Sequence, residues 1–575
     1  MSNQEIAKIL YEIGEYLEMQ DVPFKPRAYE KAAEAIDGLQ ESVSETYKKS
    51  GVKAVEEISG VGLSIAEKIE ELLKTGHLKY YEELKKKTPV DLSTLTRVEG
   101  LGPKNIKKLY QKLGIKTLVD LEKAAKTGRI RNLEGFGEKS EEKILKGIEF
   151  LKKSGGRFVL GFATDSVREI EERLGKLPQV KKLNIAGSAR RKKETIGDVD
   201  ILVISDKSKQ VMDSFVSMPE VARVFAHGET KSVVRLKNGM EVDLRVVPTE
   251  SYGAALMYFT GSKDHNIAIR EMAIKKGWKL NEYGLFKGKK LIAGRTEEEV
   301  YKKFGMDYIE PELRENTGEI ELAQKHKLPE LIGYDDLKGD LQIQTDWTDG
   351  RDSIEAMAKA AFDAGLEYIA ITDHTKRLAM TNGLDEKRIK KQWAEIDKVN
   401  LKLKAKNLKL TVLKGTECDI LKDGIMDLPD EILEKLDVVG ASIHSHFNLP
   451  RHEQTKRIIR AMENTNVDVV FHLTTRVLNK REPIELDIDE IIKVAKRTGT
   501  ILEIDAYPDR SDISDSIIRK CVDAGVKMSI DSDAHAKEHI KFLEFGIAQA
   551  RRGWAKKSDI INGWPLKEML RNLKR

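Results

Sequence analysis

Short apolar runs alternate with helical stretches from Leu341 to the end of the chain, and this alternation restricts the fold more than any other sequence feature. The runs are YIAITDH, LTVLKGTECDI, VVGASIHSHF, DVVFHL, TILEIDAY and KMSIDSDAH. Strands that alternate with helices form a parallel β/α barrel or sheet. Such folds keep their chemistry at the carboxyl ends of the strands, where these runs carry histidine and acidic residues.

Two other patterns precede this region. Roughly the first 150 residues, including IAKILYEIGEYLEM, have apolar side chains three and four positions apart, which predicts helices. Between Val159 and Val247 the short runs LNIAGS, VDILVIS and EVDLRVV are β-branched, which predicts strands. The polar segment 316–338 is typical of a linker. A chain of 575 residues is too long for one hydrophobic core, so several domains are expected.

Composition excludes several classes of protein. No apolar run is long enough to cross a bilayer, and the acidic N-terminus differs from a signal peptide. Two cysteines in 575 residues exclude a disulfide framework and fit a reducing cytoplasm. We therefore expect a cytoplasmic protein without a membrane partner.

The net charge of +5 is unevenly distributed along the chain. Residues 77–157 contain 20 Lys and Arg against 11 Asp and Glu, a net of +9, whereas residues 1–76 contain 9 against 15, a net of −6. A basic block of this kind is expected where a nucleic-acid backbone binds. A solvated, lysine-rich helical surface is the alternative interpretation.

A weak repeat lies in the helical region, as ISGVGLSIAEKI (58–69), VEGLGPKNIKKL (98–109) and LEGFGEKSEEKI (133–144). Closely spaced glycines allow a tight turn with outward backbone N–H groups, and the following helix adds partial positive charge at its N-terminus. Three copies favour helix-hairpin-helix contacts with DNA over ordinary helical hairpins. The residues expected to contact DNA are Gly60, Gly62, Gly100, Gly102, Lys104, Gly135 and Gly137.

The strongest chemical signal is the pair of motifs AGSARRKKETIGDVDILVIS and MEVDLRVVP. Residues two apart in a strand face the same side, so Asp198 and Asp200 project together. Neighbouring carboxylates are costly without a cation, and Asp243 on a second strand can add a third. Three carboxylates suit Mg²⁺ or Mn²⁺, and two ions about 4 Å apart can hold the attacking and leaving oxygens of phosphoryl transfer. A solvent-exposed acidic turn beside a basic loop is the alternative for the first pair alone.

A nucleotide-binding turn is predicted just upstream of the aspartates. Gly187 and Ser188 offer a backbone amide and a hydroxyl that can hold a triphosphate. Arg190 and Arg191 can neutralise its charge.

The motifs GSARRKKETIGDVDILV, EVDLRVVP and YFTGSKDHNIAIR resemble the palm and fingers of a family X DNA polymerase. The resemblance implies that the three aspartates bind the catalytic metals and that the serine, with one of the two arginines, binds the triphosphate. It further implies that Tyr258, Phe259 and Gly261 form a turn against the sugar of the incoming nucleotide. Asn266 and Arg270 correspond to residues near the nascent base pair and the template.

The N-terminal motifs PFKPRAYEKAAEAI and GVGLSIAEKI resemble the lyase domain of the same family. The resemblance implies that Lys68 forms a Schiff base with an abasic sugar, with Lys25 and Tyr29 as neighbours. Such a lysine needs a depressed pKa. The segment departs from the family because it is net acidic and has Ser64 where a phosphate-binding lysine is often found. A helix-surface lysine paired with a nearby glutamate is the alternative.

The strand ends beyond Leu341 resemble a PHP domain, a phosphoesterase module that bacterial and archaeal family X polymerases often carry. Histidines and carboxylates at the mouth of a barrel can hold Zn²⁺ or Mn²⁺ ions that activate water against a phosphodiester. The implied metal ligands are Asp349, His374, Glu417, His444, His472, Asp533 and His535.

The first motif of that domain is altered in this chain. The family has HxH, whereas LQIQTDWTDG places Gln342 and Gln344 at both histidine positions. A neutral amide is a poor ligand for Zn²⁺ or Mn²⁺, so an incomplete metal site with reduced or lost nuclease activity is expected. A surviving Mn²⁺-dependent exonuclease or AP endonuclease, or a DNA-binding scaffold, is the alternative for this region.

A monomeric, multidomain polymerase that fills gaps during DNA repair is therefore expected, with gapped or primed DNA and deoxynucleoside triphosphates as partners. A template-independent nucleotidyltransferase is the rival, because the superfamily shares the GS…DVD core. The expected order is a helical lyase-like domain (1–78), a helix-hairpin-helix region (79–155), an α/β nucleotidyltransferase palm (156–250), fingers (251–315), a linker (316–338) and a distorted (β/α)-barrel PHP domain (339–575).

Overall fold

The computed structural model describes residues 1, 3–37, 43–58, 60–96, 98, 101–153, 157–236 and 240–574. The chain divides into two compact units, Met1–Gly156 with Asn479–Glu482, and Arg157–Leu478 with Pro483–Arg575. Among the described residues, no helix is both long and apolar enough to span a membrane.

The first unit is helical, as the spacing of its apolar residues predicts. Its helices are α1 (Asn3–Met19), α2 (Lys25–Asp37), α3 (Val43–Ser50), α4 (Val52–Glu56), α5 (Leu63–Thr75), α6 (Lys79–Lys87), α7 (Leu92–Leu95), α8 (Pro103–Leu113), α9 (Leu118–Lys126) and α10 (Glu138–Lys153). Their apolar faces share one core, in which Ile13, Leu72 and Ile106 are almost completely buried.

The palm begins the second unit and is built around a mixed sheet. Its elements are β1 (Phe158–Val159), α11 (Leu160–Gly175), β2 (Lys182–Ile185), α12 (Gly187–Arg190), β3 (Thr195–Ile196), β4 (Asp198–Ile204), α13 (Ser208–Val216), β5 (Val221–His227), β6 (Lys231–Leu236) and β7 (Glu241–Val246). The larger sheet of the described strands has the order β2-β4-β7-β6-β5, with β4 and β7 parallel. The two strands that carry the aspartates are therefore neighbours.

The region after the palm mixes helices with a small antiparallel sheet of β8 to β10, as expected for the fingers. Its elements are α14 (Tyr252–Thr260), α15 (Lys263–Lys275), β8 (Trp278–Asn281), β9 (Gly284–Lys287), β10 (Lys290–Ala293), α16 (Glu297–Lys303) and α17 (Glu319–Gln324).

The segment 316–338 differs from the irregular linker that its polarity predicts. It contains α17, where Glu319 is buried with its Oε1 atom 2.6 Å from His265 Nδ1. Ile332 is also buried, and its backbone N–H donates to the carbonyl of Ala555 at 3.0 Å. Polar residues are retained here because buried partners satisfy them, so the segment packs against both neighbours.

A parallel sheet and its surrounding helices make up the C-terminal part, of which the structure describes every residue from 340 to 574. The strands are β11 (Gly339–Ile343), β12 (Tyr368–Ile371), β13 (Thr411–Asp419), β14 (Val438–Ser442), β15 (Val469–Val470), β16 (Ile501–Asp505) and β17 (Met528–Asp531). The helices are α18 (Ile354–Asp363), α19 (Glu386–Ala405), α20 (Asp430–Leu433), α21 (Arg451–Glu463), α22 (Ile488–Thr498), α23 (Asp515–Ala524), α24 (Leu543–Arg552) and α25 (Leu566–Arg571).

The strands of this sheet follow chain order, and its two edges meet. Ile343 at the end of β11 pairs in parallel with Ala534 just beyond β17. The backbone N–H of Gln344 donates to the Ala534 carbonyl at 2.8 Å. The sheet is therefore a nearly closed barrel, which confirms the fold predicted from the alternating pattern.

Candidate active sites

The palm aspartates lie together at one end of the central strands. Asp198 is the first residue of β4, and Asp200 follows on the same face. In the parallel pairing of β4 with β7, Asp200 stands directly opposite Asp243. The structure thus brings all three carboxylates together, as the sequence predicts.

Two cations of the described residues, Arg245 and Lys231, contact this cluster of three carboxylates. Burial, followed by the charges of Asp198 and Asp243, raises the pKa of Asp200 to about 7. Asp243 Oδ2 lies 2.9 Å from Arg245 Nη2 and 3.2 Å from Lys231 Nζ. Its Oδ1 atom is buried and has no hydrogen-bond partner among the described residues. An all-oxygen donor set with an unpartnered carboxylate oxygen fits a hard divalent ion.

Gly187 allows the nucleotide-binding turn to approach this cluster closely. A Cβ atom at this position would lie 2.6 Å from Asp200 Oδ2, and its φ angle is +64°. A larger residue would therefore clash with the carboxylate and strain the backbone. Ser188 follows in α12, so the turn and the aspartates share one cleft.

Both arginines of this turn already have acidic partners, which the sequence did not reveal. Arg190 Nη2 lies 2.7 Å from Glu297 Oε2. Arg191 Nε lies 2.9 Å from Glu315 Oε1, and its Nη1 atom donates to the Thr260 carbonyl at 2.7 Å. These pairs connect the palm with residues more than a hundred positions away. No local sequence pattern predicts such distant partners.

The turn at the end of α14 is fixed by one amide side chain. Asn266 Nδ2 donates to the carbonyls of Tyr258 at 2.6 Å and Gly261 at 3.1 Å. A Cβ atom on Gly261 would lie 2.4 Å from Asn266 Oδ1, so a larger residue here would force the Asn266 side chain to shift. Phe259 packs edge-to-face against Tyr258, and Arg270 donates to the Asn266 carbonyl at 3.3 Å. Five of the nine residues predicted to bind the nucleotide therefore lie close together in this turn and the helix that follows it.

Lys68 lies on α5 and forms no ion pair with a glutamate among the described residues. Its Nζ atom donates to the carbonyl and the hydroxyl of Ser64, each at 3.0 Å. Glu71 instead accepts a hydrogen bond from a backbone N–H on α6. Partial burial lowers the pKa of Lys68, and Lys25 contributes in the same direction. The charges of Glu67 and Glu71 act against this lowering.

The glycine motifs adopt one recurring turn. Each motif closes an i to i+3 backbone hydrogen bond, from Val61 to Ile58, from Leu101 to Val98 and from Phe136 to Leu133, at 2.9, 3.1 and 2.9 Å.

Helices α5, α8 and α10 follow these turns directly, as the repeat predicts. Gly60 and Gly135 have φ angles of +86° and +84°, which favour glycine. Gly62 and Gly102 are N-cap residues without a side-chain cap, so backbone N–H groups at both helix starts remain available.

The remaining predicted DNA contacts can be placed in part. Gly137 immediately precedes α10, and Lys104 is exposed in the first turn of α8. Gly100 lies outside the described residues.

Most of the barrel ligands predicted from the sequence converge at one end of the strands. Two overlapping groups have ligand atoms within 4.8 Å of one another, namely Asp349 with His374 and His535, and His374 with Glu417 and His444. His472 Nε2 lies 2.7 Å from Glu417 Oε1 and adjoins the second group. Imidazole and carboxylate donors at this spacing fit Zn²⁺ or Mn²⁺.

Beside the glutamines, protein groups occupy part of the surroundings of the predicted ligands. Gln344 Nε2 donates to Glu417 Oε2 at 2.6 Å, and neither polar atom of the Gln342 amide has a partner among the described residues. Arg510 Nε lies 3.3 Å from Asp533 Oδ2 and 3.5 Å from Asp505 Oδ2. A guanidinium thus supplies the positive charge beside Asp533.

Asp505 and Arg510 were not predicted as site residues. Asp505 lies in the run TILEIDAY and is the last residue of β16, so the same strand-end pattern that revealed the other ligands could have revealed it.

Profiles of known protein families match separate parts of the chain. Profiles described as a helix-hairpin-helix domain and a SAM-like helix-hairpin-helix tandem match residues 1–78 and 92–149. A DNA polymerase beta thumb profile matches 255–315, and a PHP domain profile matches 340–561. The region expected as fingers thus corresponds to what that profile calls a thumb.

Curated relatives cover either the whole chain or one of its parts. DNA polymerase/3'-5' exonuclease PolX of Bacillus subtilis is 37% identical over 580 residues, which covers 100% of both chains. DNA polymerase lambda of Rattus norvegicus is 26% identical over 54% of this chain and 56% of that protein. A probable phosphatase of Thermoanaerobacter is 28% identical over 39% of this chain and 89% of that protein.

Fold, sites and relatives together define a nucleotidyltransferase of the DNA polymerase class joined to a PHP barrel. The chain belongs to the family X DNA polymerases that carry a C-terminal PHP domain. It is a DNA-directed DNA polymerase of DNA repair, and DNA and deoxynucleoside triphosphates are its substrates.

Proposed function

We propose that Asp198, Asp200 and Asp243 hold the divalent ions of nucleotidyl transfer during the filling of short gaps. The parallel pairing of Asp200 with Asp243, beside an unpartnered Asp243 oxygen, carries this assignment. When bound, two Mg²⁺ or Mn²⁺ ions supply positive charge to the attacking and leaving oxygens. The carboxylates fix the position of that charge, because their strands are hydrogen-bonded to each other.

The nucleotide is proposed to lie between the Gly187–Ser188 turn and the turn that Asn266 holds. Ser188 and Arg191 bind the triphosphate, and Arg190 supports the turn through Glu297. The backbone from Tyr258 to Gly261 lies against the sugar, where it crowds a 2'-hydroxyl and disfavours ribonucleotides. Asn266 maintains the shape of this turn through its two amide donations.

Single-nucleotide gap filling tests the metal assignment. Asp243→Asn should abolish extension with little change in DNA affinity, because it removes ligand charge and not DNA contacts. Asp213→Asn is the matched control, since this palm aspartate lies on α13, outside the three-carboxylate cluster, and pairs with Lys209. Extension by the Asp243 variant at the wild-type rate would refute the assignment. Incorporation that ignores the template base would favour a template-independent transferase.

We propose that the barrel binds two divalent ions, Zn²⁺ or Mn²⁺, and that its nuclease activity is reduced. The two overlapping ligand groups support binding, and Arg510 beside Asp533 supports the loss of a further position. A 3'-5' exonuclease is the second candidate function, because the full-length Bacillus subtilis relative is named for that activity.

A polymerase-inactive protein separates these candidates. Asp198→Ala/Asp200→Ala protein is incubated with a 5'-labelled single strand and Mn²⁺, with and without His374→Ala, and shortening from the 3' end is followed. Slow or absent shortening is expected for the reduced barrel. Efficient shortening that His374→Ala removes would establish the exonuclease instead. His452→Ala is the control, because this exposed histidine on α21 lies outside both ligand groups.

We further propose that Lys68 supports lyase chemistry on an abasic sugar. Its depressed pKa favours a reactive amine, and its hydrogen bonds with Ser64 hold the side chain in place. Borohydride should trap wild-type protein and the Lys74→Ala control, but not Lys68→Ala. Lys74 lies on the same helix and pairs with Glu70. Trapping that survives Lys68→Ala would assign the nucleophile elsewhere.

The enzyme is proposed to act as a cytoplasmic monomer. Sedimentation at micromolar concentration, with and without gapped DNA, would show a single 65.0 kDa chain if this is correct.

A further inference from the structure

The barrel holds the palm segment Gly187–Glu194, named here the phosphate loop, at two points. Arg552 at the end of α24 donates from Nη1 to the Arg191 carbonyl at 3.1 Å. Arg476, in the loop after His472, donates from Nη2 to Glu194 Oε2 at 2.7 Å. The Arg552 side chain is almost completely buried and the Arg476 side chain is largely buried, so both contacts are shielded from solvent.

Arg552 is itself held rigidly within the barrel. Its side chain is 3% exposed, and Nη2 lies 2.5 Å from Asp515 Oδ2 on α23. Nη1 also reaches Glu315 Oε1 at 3.2 Å. A guanidinium whose two ends are bound to carboxylates on different segments has little freedom to move.

Glu315 connects the barrel arginine to the nucleotide-binding arginine. The same Oε1 atom that approaches Arg552 accepts from Arg191 Nε at 2.9 Å, and Lys193 Nζ lies 3.8 Å away. Burial alone would raise the pKa of Glu315, but Arg191, then Arg552 and Lys193, outweigh burial and lower it. The carboxylate is therefore ionised and shared by three cations.

Arg191 has one part of its guanidinium free for a ligand. Nε is bound to Glu315, and Nη1 is bound to the Thr260 carbonyl at 2.7 Å. Nη2 has no hydrogen bond to any described residue. Two fixed atoms define the plane of the group, so they also define the direction in which Nη2 donates.

We propose that Arg552 of the barrel is a positioning residue for the incoming nucleotide, because it fixes Glu315, which orients Arg191 toward the triphosphate. The inference rests on the proposed role of Arg191. It gives the barrel a part in polymerisation that is independent of metal binding or hydrolysis. Small displacements of a substrate-orienting group have large kinetic effects, so a contact from another domain can matter for nucleotide use.

Steady-state gap filling with varied deoxynucleoside triphosphate tests the proposal. Arg552→Ala should raise KM for the nucleotide about tenfold, the size of one lost charged hydrogen bond, and change kcat far less. Arg552→Lys should recover part of this loss, because it keeps the charge but not the forked geometry. Arg168→Ala is the matched control, since Arg168 pairs with Glu544 across the same palm–barrel contact at 2.6 Å without touching the phosphate loop.

A double-substitution cycle separates positioning from general destabilisation. If Arg552 acts through Arg191, then Arg552→Ala should add no further change in KM to Arg191→Ala protein. Glu315→Gln provides a second variant in case Arg552→Ala folds poorly, and it should raise KM similarly. Independent, additive effects of the two arginines would overturn the proposal.

The controls also distinguish which assumption fails. An unchanged KM in Arg191→Ala would refute the assigned role of Arg191 and the proposal with it. A raised KM in Arg191→Ala, with unchanged values in folded Arg552→Ala and Glu315→Gln, would refute only the contribution of the barrel.

Discussion

The palm and the barrel both gather carboxylates at the ends of adjacent parallel strands, but they differ in what balances the negative charge. In the palm, Asp243 retains an unpartnered buried oxygen, and the pKa of Asp200 is raised to about 7. In the barrel, Arg510 stands beside Asp533 and an amide of Gln344 donates to Glu417, although Asp505 Oδ2 is likewise without a hydrogen-bond partner among the described residues. A site that still needs cations is prepared for metal, whereas a site supplied with protein donors has lost part of that need.

The largest expected effect is that single substitutions separate primer extension by the palm from hydrolysis by the barrel. Asp243→Ala should lower extension by about a thousandfold or more, because loss of ion binding removes several kcal/mol of transition-state stabilisation. His374→Ala should leave extension unchanged and lower any hydrolysis in Mn²⁺. Extension and hydrolysis assays on the same preparations would measure both effects. Loss of extension in His374→Ala would mean that the sites are not independent.

The turn that carries Arg190 differs from the aspartate cluster beside it, because an ion pair with Glu297 balances its charge. Burial would raise the pKa of Glu297, but Arg314 and Arg190 outweigh burial and lower it from 4.5 to about 2. Because the pKa of Glu297 is depressed in the folded protein, its ion pairs with Arg314 and Arg190 stabilise the fold. This stabilisation is present above pH 4.5 and is lost as the pH falls through about 2.

Glu297→Gln should therefore lower the free energy of unfolding at pH 7 by about 3 kcal/mol, the energy of that shift in pKa. Urea denaturation at pH 7 and pH 3 would measure the difference. Glu298→Gln, at the next and exposed position of α16, should have little effect. Equal stability of the two variants would show that the buried pair contributes nothing.

Introducing histidines at positions 342 and 344 should make the barrel bind metal ions more completely, as the palm is proposed to do. Gln342→His/Gln344→His adds two imidazoles that compete with Arg510 for the charge beside Asp533. We expect about one more Mn²⁺ per chain than in the parent protein, since imidazole is a better ligand than an amide. Equilibrium dialysis of Asp198→Ala/Asp200→Ala protein with elemental analysis would count barrel ions. An unchanged count would show that the glutamines are not what limits binding.

The smallest expected effect concerns a residue outside both sites. Lys104→Ala should weaken DNA binding a few-fold and reduce the slope of log affinity against log salt by about 1, because one phosphate contact is lost. Lys112→Ala, at the other end of α8, is the control. Fluorescence anisotropy at several salt concentrations would measure both. An unchanged slope would remove Lys104 from the DNA contacts.

The sequence predicts those features that local spacing determines. The alternation beyond Leu341 predicts the barrel, and the strand-end positions of His374 and Glu417 predict a metal site. The two-residue spacing of Asp198 and Asp200 likewise predicts a shared face. Such features need only a regular backbone period to become visible.

What the sequence could not predict depends on partners that folding brings together from distant segments. Arg191 is separated from Glu315 by 124 positions, and Glu315 from Arg552 by 237. The segment 316–338 is polar in sequence, which predicts an irregular linker. Its charged residues, such as Glu319, are instead paired with buried partners that lie elsewhere in the chain. Long-range ion pairs have no period, so no spacing rule identifies them.

The sharing of Glu315 between Arg191 and Arg552 has an evolutionary consequence. A descendant that no longer needed hydrolysis could lose barrel histidines one at a time, but deleting the barrel would also remove Arg552 from the phosphate loop. Selection for nucleotide use would then keep the barrel after its own chemistry had declined. A chain with two replaced histidines and an intact Arg552 is the intermediate that such a history would leave.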